Sequence, residues 1–410
     1  MNVLLSLFGG VLVEGPKWCG KTWTSQNACK SELFIANPSD NYITKKLLKA
    51  DVYAALTGEY PRLIDEWQEV PEVWDAIRFE IDQSGRKGMF VLTGSSSPPK
   101  EKTVHSGTGR IARVRMSPMT LHEAGVSNGE VSFEGIIGDA PFVRSENPLT
   151  LLDIAENCVG GGWPANIGAP KPLLHELPLQ YIRSLVNEDV SRYDDVERDP
   201  IKMELLLRSL ARNNQTLVSK KTLLADIGQI SEPTLNSYIN VLKNLFIING
   251  IPAWSPNVRS RSRLRTNEKV RFADPSLAIA SLALSTTKLM GDLETFGFMF
   301  ENMVSRDVLA YAEIMNARVY HYREAANQGR EELEVDLVVE TSSDDYCLIE
   351  VKLGASQIDK AEAALLRVAE KLATGGARPP KSMVIICGTV PYAYTTEREI
   401  KVVPVGCLGE

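Results

Sequence analysis

Three observations predict an α/β chain that opens on a parallel, doubly wound sheet. Short apolar runs alternate with helix-period segments through the first third of the chain, the pattern of strand–helix–strand units. A glycine-bounded turn with a lysine and a threonine separates the first run from the first helix. The apolar runs are near-continuous, as strands covered on both faces require. In order they are Val11–Glu14, Leu33–Ala36, Arg62–Asp65, Met89–Thr93 and Ile111–Met116, and Val73–Gln83 carries a helical period.

The 410 residues suggest two to four units at roughly 150 residues per domain. Hydrophobic residues make up 44% and charged residues 24%, which excludes a disordered chain and a coiled coil. No apolar stretch approaches the ~18 residues of a spanning helix, and Met1–Phe8 lacks the basic start of a signal peptide. Cys19, Cys29, Cys158, Cys347, Cys387 and Cys407 are scattered without a CxxC, as expected of a reducing compartment and not of structural zinc. A cytoplasmic protein without a membrane partner is expected. Lys and Arg number 45 against 52 Asp and Glu, a net charge of −7 that disfavours nucleic acid only if it is spread evenly.

Gly15-Pro16-Lys17-Trp18-Cys19-Gly20-Lys21-Thr22 matches G-x-x-x-x-G-K-[ST] between a predicted strand and a predicted helix. Its backbone N–H groups would close around phosphate oxygens, Lys21 would reach the β- and γ-phosphates of ATP, and Thr22 would offer its hydroxyl to Mg²⁺. The apolar run Arg62–Asp65 ends in a second acid, Glu66, at the carboxyl edge where such sheets bind ligands. Asp65 is read as the Mg²⁺ partner and Glu66 as the residue that polarises the attacking water. Thr93 closes the next strand and is placed to sense the γ-phosphate; a serine-rich turn is the alternative. Arg110, after Gly109, is read either as an arginine finger or as a solvent-exposed or fold-stabilising residue. His105 reads as a surface loop histidine.

Residues 124–148 read as a linker with one strand, and a polar helical segment spans 172–198 after Gly160-Gly161-Gly162-Trp163-Pro164. The stretch 201–250 is helical throughout, with Ser231 as N-cap of its third helix, and strand-like sequence follows. That order fits a winged helix-turn-helix. Arg259, Arg261, Arg263, Arg265, Lys269 and Arg271 then face only Glu268, a local charge of +5. The four arginines at i, i+2 spacing would share one face of an extended wing and track the phosphates of DNA. An arginine-rich edge paired to acids of a neighbouring domain is the alternative. Few residues of the third helix can read bases, so sequence-specific recognition does not follow.

The tail reads as helix, three strands, helix and strand. Leu333–Glu340 and Tyr346–Lys352 form a hairpin around Ser343 in which paired positions sum to 686, so that Asp336 faces Glu350 and Glu334 faces Lys352. Two opposed carboxylates repel unless a proton, a cation or a register shift relieves them. Mg²⁺ is a suitable cation, and Lys352 could then activate a water for phosphodiester attack. His321 reads as a strand residue flanking this centre.

The phosphate loop, Leu63-Ile64-Asp65-Glu66-Trp67-Gln68, Leu92-Thr93-Gly94-Ser95, Gly107-Thr108-Gly109-Arg110, Gly161-Gly162-Trp163-Pro164 and Phe300-Glu301-Asn302 occur in that order. Together they resemble the prokaryotic AAA+ ATPases that carry a C-terminal restriction-endonuclease-like domain. The resemblance implies a P-loop AAA+ core over 1–122, a linker and helical lid over 123–200, a winged helix over 201–288 and a PD-(D/E)xK nuclease-like domain over 289–410. It maps Asp336, Glu350 and Lys352 onto metal and catalytic positions, with Glu301 as a further ligand. It also implies a longer leader than the ten residues before Val11, so adenine contacts are expected to be weaker or the start truncated. The function expected is ATP hydrolysis coupled to DNA binding and Mg²⁺-dependent DNA cleavage. The alternative is an ATP-dependent regulatory or scaffold switch with an inactive nuclease-like domain. Monomer, dimer and ring all stay open.

Overall fold

The computed structural model describes residues 1–96, 106–138, 142–194, 196–257, 267–325, 332–343 and 345–410. His105 and the four arginines Arg259, Arg261, Arg263 and Arg265 lie outside the described residues. The chain divides into two units. The first comprises Met1–Pro118, Leu185–Arg198 and Asn236–Ile247, and the second holds the remainder.

The first unit is built on five parallel strands: β1 (Gly10–Glu14), β2 (Ser31–Phe34), β3 (Arg62–Asp65), β4 (Phe90–Gly94) and β5 (Ile111–Arg115), in the order β2-β3-β4-β1-β5. The central β1 and β4 are buried along nearly their whole length, which is why their sequences are uninterrupted apolar runs. The helix Glu72–Ser84 lays Val73, Trp74, Ile77 and Ile81 into the core and stops at Gly85, whose φ of 63° suits glycine. A short helix, Asn2–Leu7, precedes β1. Because all strands run the same way, the loops after β1, β3 and β4 share one edge of the sheet. The phosphate loop, Asp65–Glu66 and Thr93–Ser95 come together there.

In the second unit, β6 (Val131–Ser132) lies in the stretch read as a linker and leads into the helix Phe133–Ile137. The helices Pro200–Arg212 and Lys220–Ile227 follow, and Glu232–Asn244 begins here; Ser231 Oγ accepts from Thr234 N (3.2 Å), as an N-cap should. They lead to an antiparallel ribbon of β7 (Ile248–Ile251) and β8 (Lys269–Phe272), and Thr216 bridges to Val270 on the other side of β8. The largest sheet has six strands: β9 (Arg318–Glu324), β10 (Leu333–Glu340), β11 (Tyr346–Lys352), β12 (Ser382–Cys387), β13 (Tyr394–Thr395) and β14 (Lys401–Pro404). Their order is β13-β14-β12-β11-β10-β9. The helix Ile358–Thr374 lays Ile358, Ala361, Leu365, Val368 and Leu372 against this sheet, and a largely buried 22-residue helix, Leu293–Ile314, precedes it. The last strand, β15 (Leu408–Gly409), pairs with β6.

Among the described residues no helix is long and apolar enough to cross a membrane. The resemblance motif around Gly161 is tied into a buried network of this unit centred on Arg306. Arg306 Nη1 meets Asp274 Oδ2 at 2.7 Å and its Nε meets Asp307 Oδ1 at 2.8 Å, all fully buried. Gly162 N donates to Asp274 (3.0 Å), Leu121 N to Asp307 (3.1 Å), and Trp163 Nε1 to Ser276 (2.9 Å). A Cβ on Gly162 would stand 2.0 Å from the Met119 carbonyl oxygen, so the second glycine is a packing requirement.

Candidate functional site

The loop after β1 is shaped by its glycines. A Cβ on Gly15 would meet the Met116 carbonyl oxygen at 2.3 Å, and Gly20, at φ 101°, opens the helix Lys21–Gln26. Lys21 is 6% exposed, and its ammonium donates to the carbonyl oxygens of Gly15 (3.0 Å) and Pro16 (2.7 Å). Among the described residues no carboxylate comes within ion-pair distance of it. Burial pulls its pKa down, opposed by the more distant Cys19, Glu66 and Asp65. A buried cation held only by neutral carbonyls is a seat for an anionic ligand.

Asp65 at the end of β3 gathers two hydroxyls on Oδ1, from Thr22 at 2.8 Å and Thr93 at 2.6 Å. Thr93 Oγ1 in turn accepts from the Glu66 amide at 3.2 Å. Glu66 adopts a left-handed φ of 54°, and its Oε2 accepts from Gln68 Nε2 and from Ser95 Oγ (3.2 Å). Burial raises the pKa of Glu66, while Lys21 and these two donors oppose the rise. Ser95 lies in the Thr93-Gly94-Ser95-Ser96 turn, where a hydroxyl is expected to sense the γ-phosphate, and Gln68 follows the acid pair; both donate to Glu66. A cleft of about 770 Å³ opens on Glu66, Ser95 and Lys17 and is also walled by Lys45, Asp189 and Arg192. Its size suits a nucleotide. Lys17 is tied to Asp189 at 2.6 Å. The residues present therefore fit ATP with Mg²⁺: Lys21 and the loop for phosphate, Thr22 and Asp65 for the ion.

The second centre has a different composition from the one expected. The β10–β11 hairpin keeps the register that sums to 686, from Glu340↔Tyr346 to Leu337↔Ile349. Beyond Leu337 the described pairing stops, and β10 shifts register against β9 between Val335 and Val338. The described β10–β11 pairing thus includes neither Asp336↔Glu350 nor Glu334↔Lys352, and on the other side of β10 Glu334 pairs with Arg323 of β9. Asp336 turns Oδ2 to the Val351 amide (2.9 Å) and to Lys352 Nζ (3.1 Å), and Lys352 also holds Glu350 at 2.5 Å. The other cation is Lys269 of β8, 2% exposed, bonded to Glu301 Oε1 and standing 3.6 Å from Asp336 Oδ1 and 3.9 Å from Glu334 Oε1.

Burial pushes the carboxyls of Glu301 and Glu350 up. It would raise Asp336 too, but Lys352 and Lys269 outweigh it and hold that carboxyl below the usual range. Burial would lower Lys269, yet Glu301 and Asp336 carry it upward. Among the described residues no group of three or more His, Cys, Asp or Glu is arranged to hold a metal ion. Glu301, Asp336 and Glu350 do not fit the expected Mg²⁺ site, because the Lys269 ammonium stands among the carboxylates that would bind it. His321 stands beside them, buried, with Nε2 on the Asn267 carbonyl (3.2 Å).

Residues 9–125 match an AAA domain. The first unit thus carries an AAA-type ATP-binding core. Residues 152–288 and 296–408 match two domains of unknown function, DUF8612 and DUF4143. Uncharacterized proteins of Mycobacterium bovis and Mycobacterium tuberculosis are each 22% identical over 338 residues, covering 82% of this chain and 68% of their own. A Walker-type ATPase of Pyrococcus abyssi aligns over 68% of this chain and 93% of its own at 13% identity, with a TM-score of 0.42.

Within the AAA core, Lys21, Thr22, Asp65, Glu66 and Thr93 meet as the sequence suggested, and Arg110 does not join them. It precedes β5, and its carbonyl accepts from Gly10 N (3.1 Å) at the start of β1. That is the opposite edge of the sheet, about 15 Å along the strands from the phosphate loop. Its guanidinium is fastened to Asp82 (2.7 Å), so it is no finger for its own nucleotide. Lys269 and Arg271, counted with the basic ribbon, are buried, and Lys269 meets Glu301 and Asp336, in line with the acid-paired edge given as the alternative.

Proposed function

We propose that this chain hydrolyses ATP and that its nucleotide state governs nucleic-acid binding by the C-terminal half, whose nuclease-like sheet serves as a non-cleaving platform. The observation that carries the ATPase reading is the buried Lys21 ammonium without a counter-ion, beside the Thr22–Asp65–Thr93–Glu66 chain of hydrogen bonds. Lys21 would take the β- and γ-phosphate oxygens in place of the two carbonyls. Mg²⁺, held by Thr22 and Asp65, would neutralise the developing charge on those phosphates. Glu66 would accept a hydrogen bond from the water whose oxygen bonds to the γ-phosphorus as the β–γ bridging P–O bond breaks. Thr93, Ser95 and Gln68 hold the Asp65–Glu66 corner in place.

The platform reading is the alternative to DNA cleavage, and Lys269 among the carboxylates favours it. Cleavage would need Mg²⁺ on Asp336 and Glu350 with Lys352 activating water. Three helices followed by the β7–β8 ribbon, with Thr216 bridged to β8, support a winged helix as the nucleic-acid module. Arg259, Arg261, Arg263 and Arg265 between the two strands would supply phosphate contacts.

ATP turnover is expected to fall about 10²-fold or more in Lys21→Ala. Turnover that survives unchanged would remove the ATPase reading. Replacing the four arginines should weaken DNA binding and flatten its dependence on salt, and affinity indifferent to both would discard the wing. Mg²⁺-dependent nicking of plasmid DNA that disappears in Glu350→Ala would replace the platform with a nuclease.

A further inference from the structure

Six charged side chains from four elements meet at the second acidic centre. Lys269 reaches it from β8, Glu301 from the helix Leu293–Ile314, Glu334 and Asp336 from β10, and Glu350 with Lys352 from β11. Three deeply buried carboxylates, Glu301, Asp336 and Glu350, face two ammonium groups, and Asp336 is shared between them, one on each oxygen. Mg²⁺ requires oxygen ligands at about 2.0–2.1 Å in near-octahedral order. It could reach Glu301 and Asp336 together only by displacing Lys269.

The backbone that carries Lys269 is anchored on both sides. Its residue pairs with Ile251 of β7, and the following Val270 bridges to Thr216: Val270 N donates to Thr216 O (3.1 Å), and Gln215 N donates to Val270 O (2.8 Å). The chain on either side of the arginine-rich connection is anchored to β9 as well. Trp254 N donates to His321 O (2.7 Å), His321 N to Pro252 O (2.9 Å), and Asn267 O meets the His321 ring. With that backbone fixed, moving the buried Lys269 ammonium breaks its bond to Glu301.

We propose that Lys269 is a built-in replacement for a divalent cation: its ammonium neutralises the acidic centre in place of a metal and clasps the β7–β8 ribbon to the six-stranded sheet. The centre therefore binds no divalent cation in the native chain, and a latent metal site lies beneath the lysine. This deepens the reading of that sheet as a non-cleaving platform. The two remain separable, because metal uptake is measured without nucleotide or nucleic acid, whereas the platform stands or falls on DNA binding.

The test is Mn²⁺ binding to the full, nucleotide-free chain, followed by the loss of the free-ion electron paramagnetic resonance signal. Thermal unfolding with and without millimolar Mg²⁺ accompanies it. The native chain and Asp336→Asn should take up Mn²⁺ identically, and Mg²⁺ should shift their unfolding equally. Lys269→Met should gain roughly one Mn²⁺ per chain, lose it again when combined with Asp336→Asn, and recover melting temperature on adding Mg²⁺. The inference is overturned if the native chain binds an Mn²⁺ that Asp336→Asn abolishes, or if folded Lys269→Met binds none. Should Lys269→Met fail to fold, the native chain against Asp336→Asn still decides.

Discussion

Two buried lysines mark the two centres of this protein, and their surroundings are opposite. Lys21 in the phosphate loop donates to two neutral carbonyls, with no carboxylate in ion-pair distance among the described residues. Lys269 in β8 is set among Glu301, Asp336 and Glu334. Taking an ammonium out of water costs several kcal/mol unless opposite charge repays it. At Lys269 the repayment is built into the chain, so the centre is electrostatically complete. At Lys21 it comes only from groups beyond ion-pair distance, Glu66 and Asp65 among them, and an anion from outside would complete it. Incomplete neutralisation distinguishes a ligand site from a structural joint, even when both consist of a lysine and acids in a buried corner.

The comparison breaks most directly on stability. Removing one partner of a buried, paired charge leaves the others uncompensated, so Lys269→Met should cost the second unit about 3–5 kcal/mol. Removing an unpaired buried charge deletes a desolvation penalty, so Lys21→Met in the nucleotide-free chain should be neutral within about 1 kcal/mol, or stabilising. Chemical denaturation of the two variants decides it. A Lys21→Met chain as damaged as Lys269→Met would show that the loop lysine already has its counter-charge. Saturating ATP should stabilise the native chain by about 2.7 kcal/mol at a hundredfold excess over Kd and leave Lys21→Met unmoved.

The same contrast separates what could be read in the sequence from what could not. Arg62–Asp65 was legible to the residue because Pro61 and the acid pair bracket a buried parallel strand. The phosphate loop was legible because its spacing is local chemistry, and the hairpin register because a short turn dictates it. Of the two readings of Arg110, the fold-stabilising one matches its ion pair with Asp82, for a reason the sequence did contain. A residue just before a parallel strand sits at the edge opposite the loops that follow its neighbours, and strand direction outranks nearness in sequence. Lys269 was legible only through the alternative of a basic edge paired to acids. Which acids these are is set by Glu301, 32 residues away, and by Asp336 further on. Long-range charge pairing leaves no period or spacing to detect.

A smaller effect tests whether the clasp is a titrating joint. Burial holds His321 down to about 4, with Asn267 O opposing and Lys269 and Arg323 reinforcing the shift. Its unfolded value lies near 6.5, so between pH 6.5 and 4 the unfolded chain binds more protons and stability falls as pH falls. The loss attributable to this ring is on the order of 2–3 kcal/mol when titration is complete. His321→Gln keeps an N–H donor for Asn267 O and cannot take a proton. It should flatten the slope of unfolding free energy over that window, and a slope identical to the native chain would place the titration elsewhere.

The smallest effect belongs to the nucleotide centre and concerns how Glu66 is tuned. Glu66 works as the carboxylate, so turnover should fall on the acid side as it takes up a proton. Burial raises its pKa, so that limb should lie above the ordinary glutamate value of 4.5. Ser95 and Gln68 donate to the charged form and so pull the pKa back down. Ser95→Ala removes one donor without touching Lys21, Thr22 or Asp65. The acid limb of the turnover profile should move up. Ser95→Thr, which keeps the hydroxyl, should restore it, while the plateau rate changes little in either variant. A limb that stays put in Ser95→Ala, or moves equally in Ser95→Thr, would mean that Ser95 only packs against the carboxylate and that the acid limb belongs to another group.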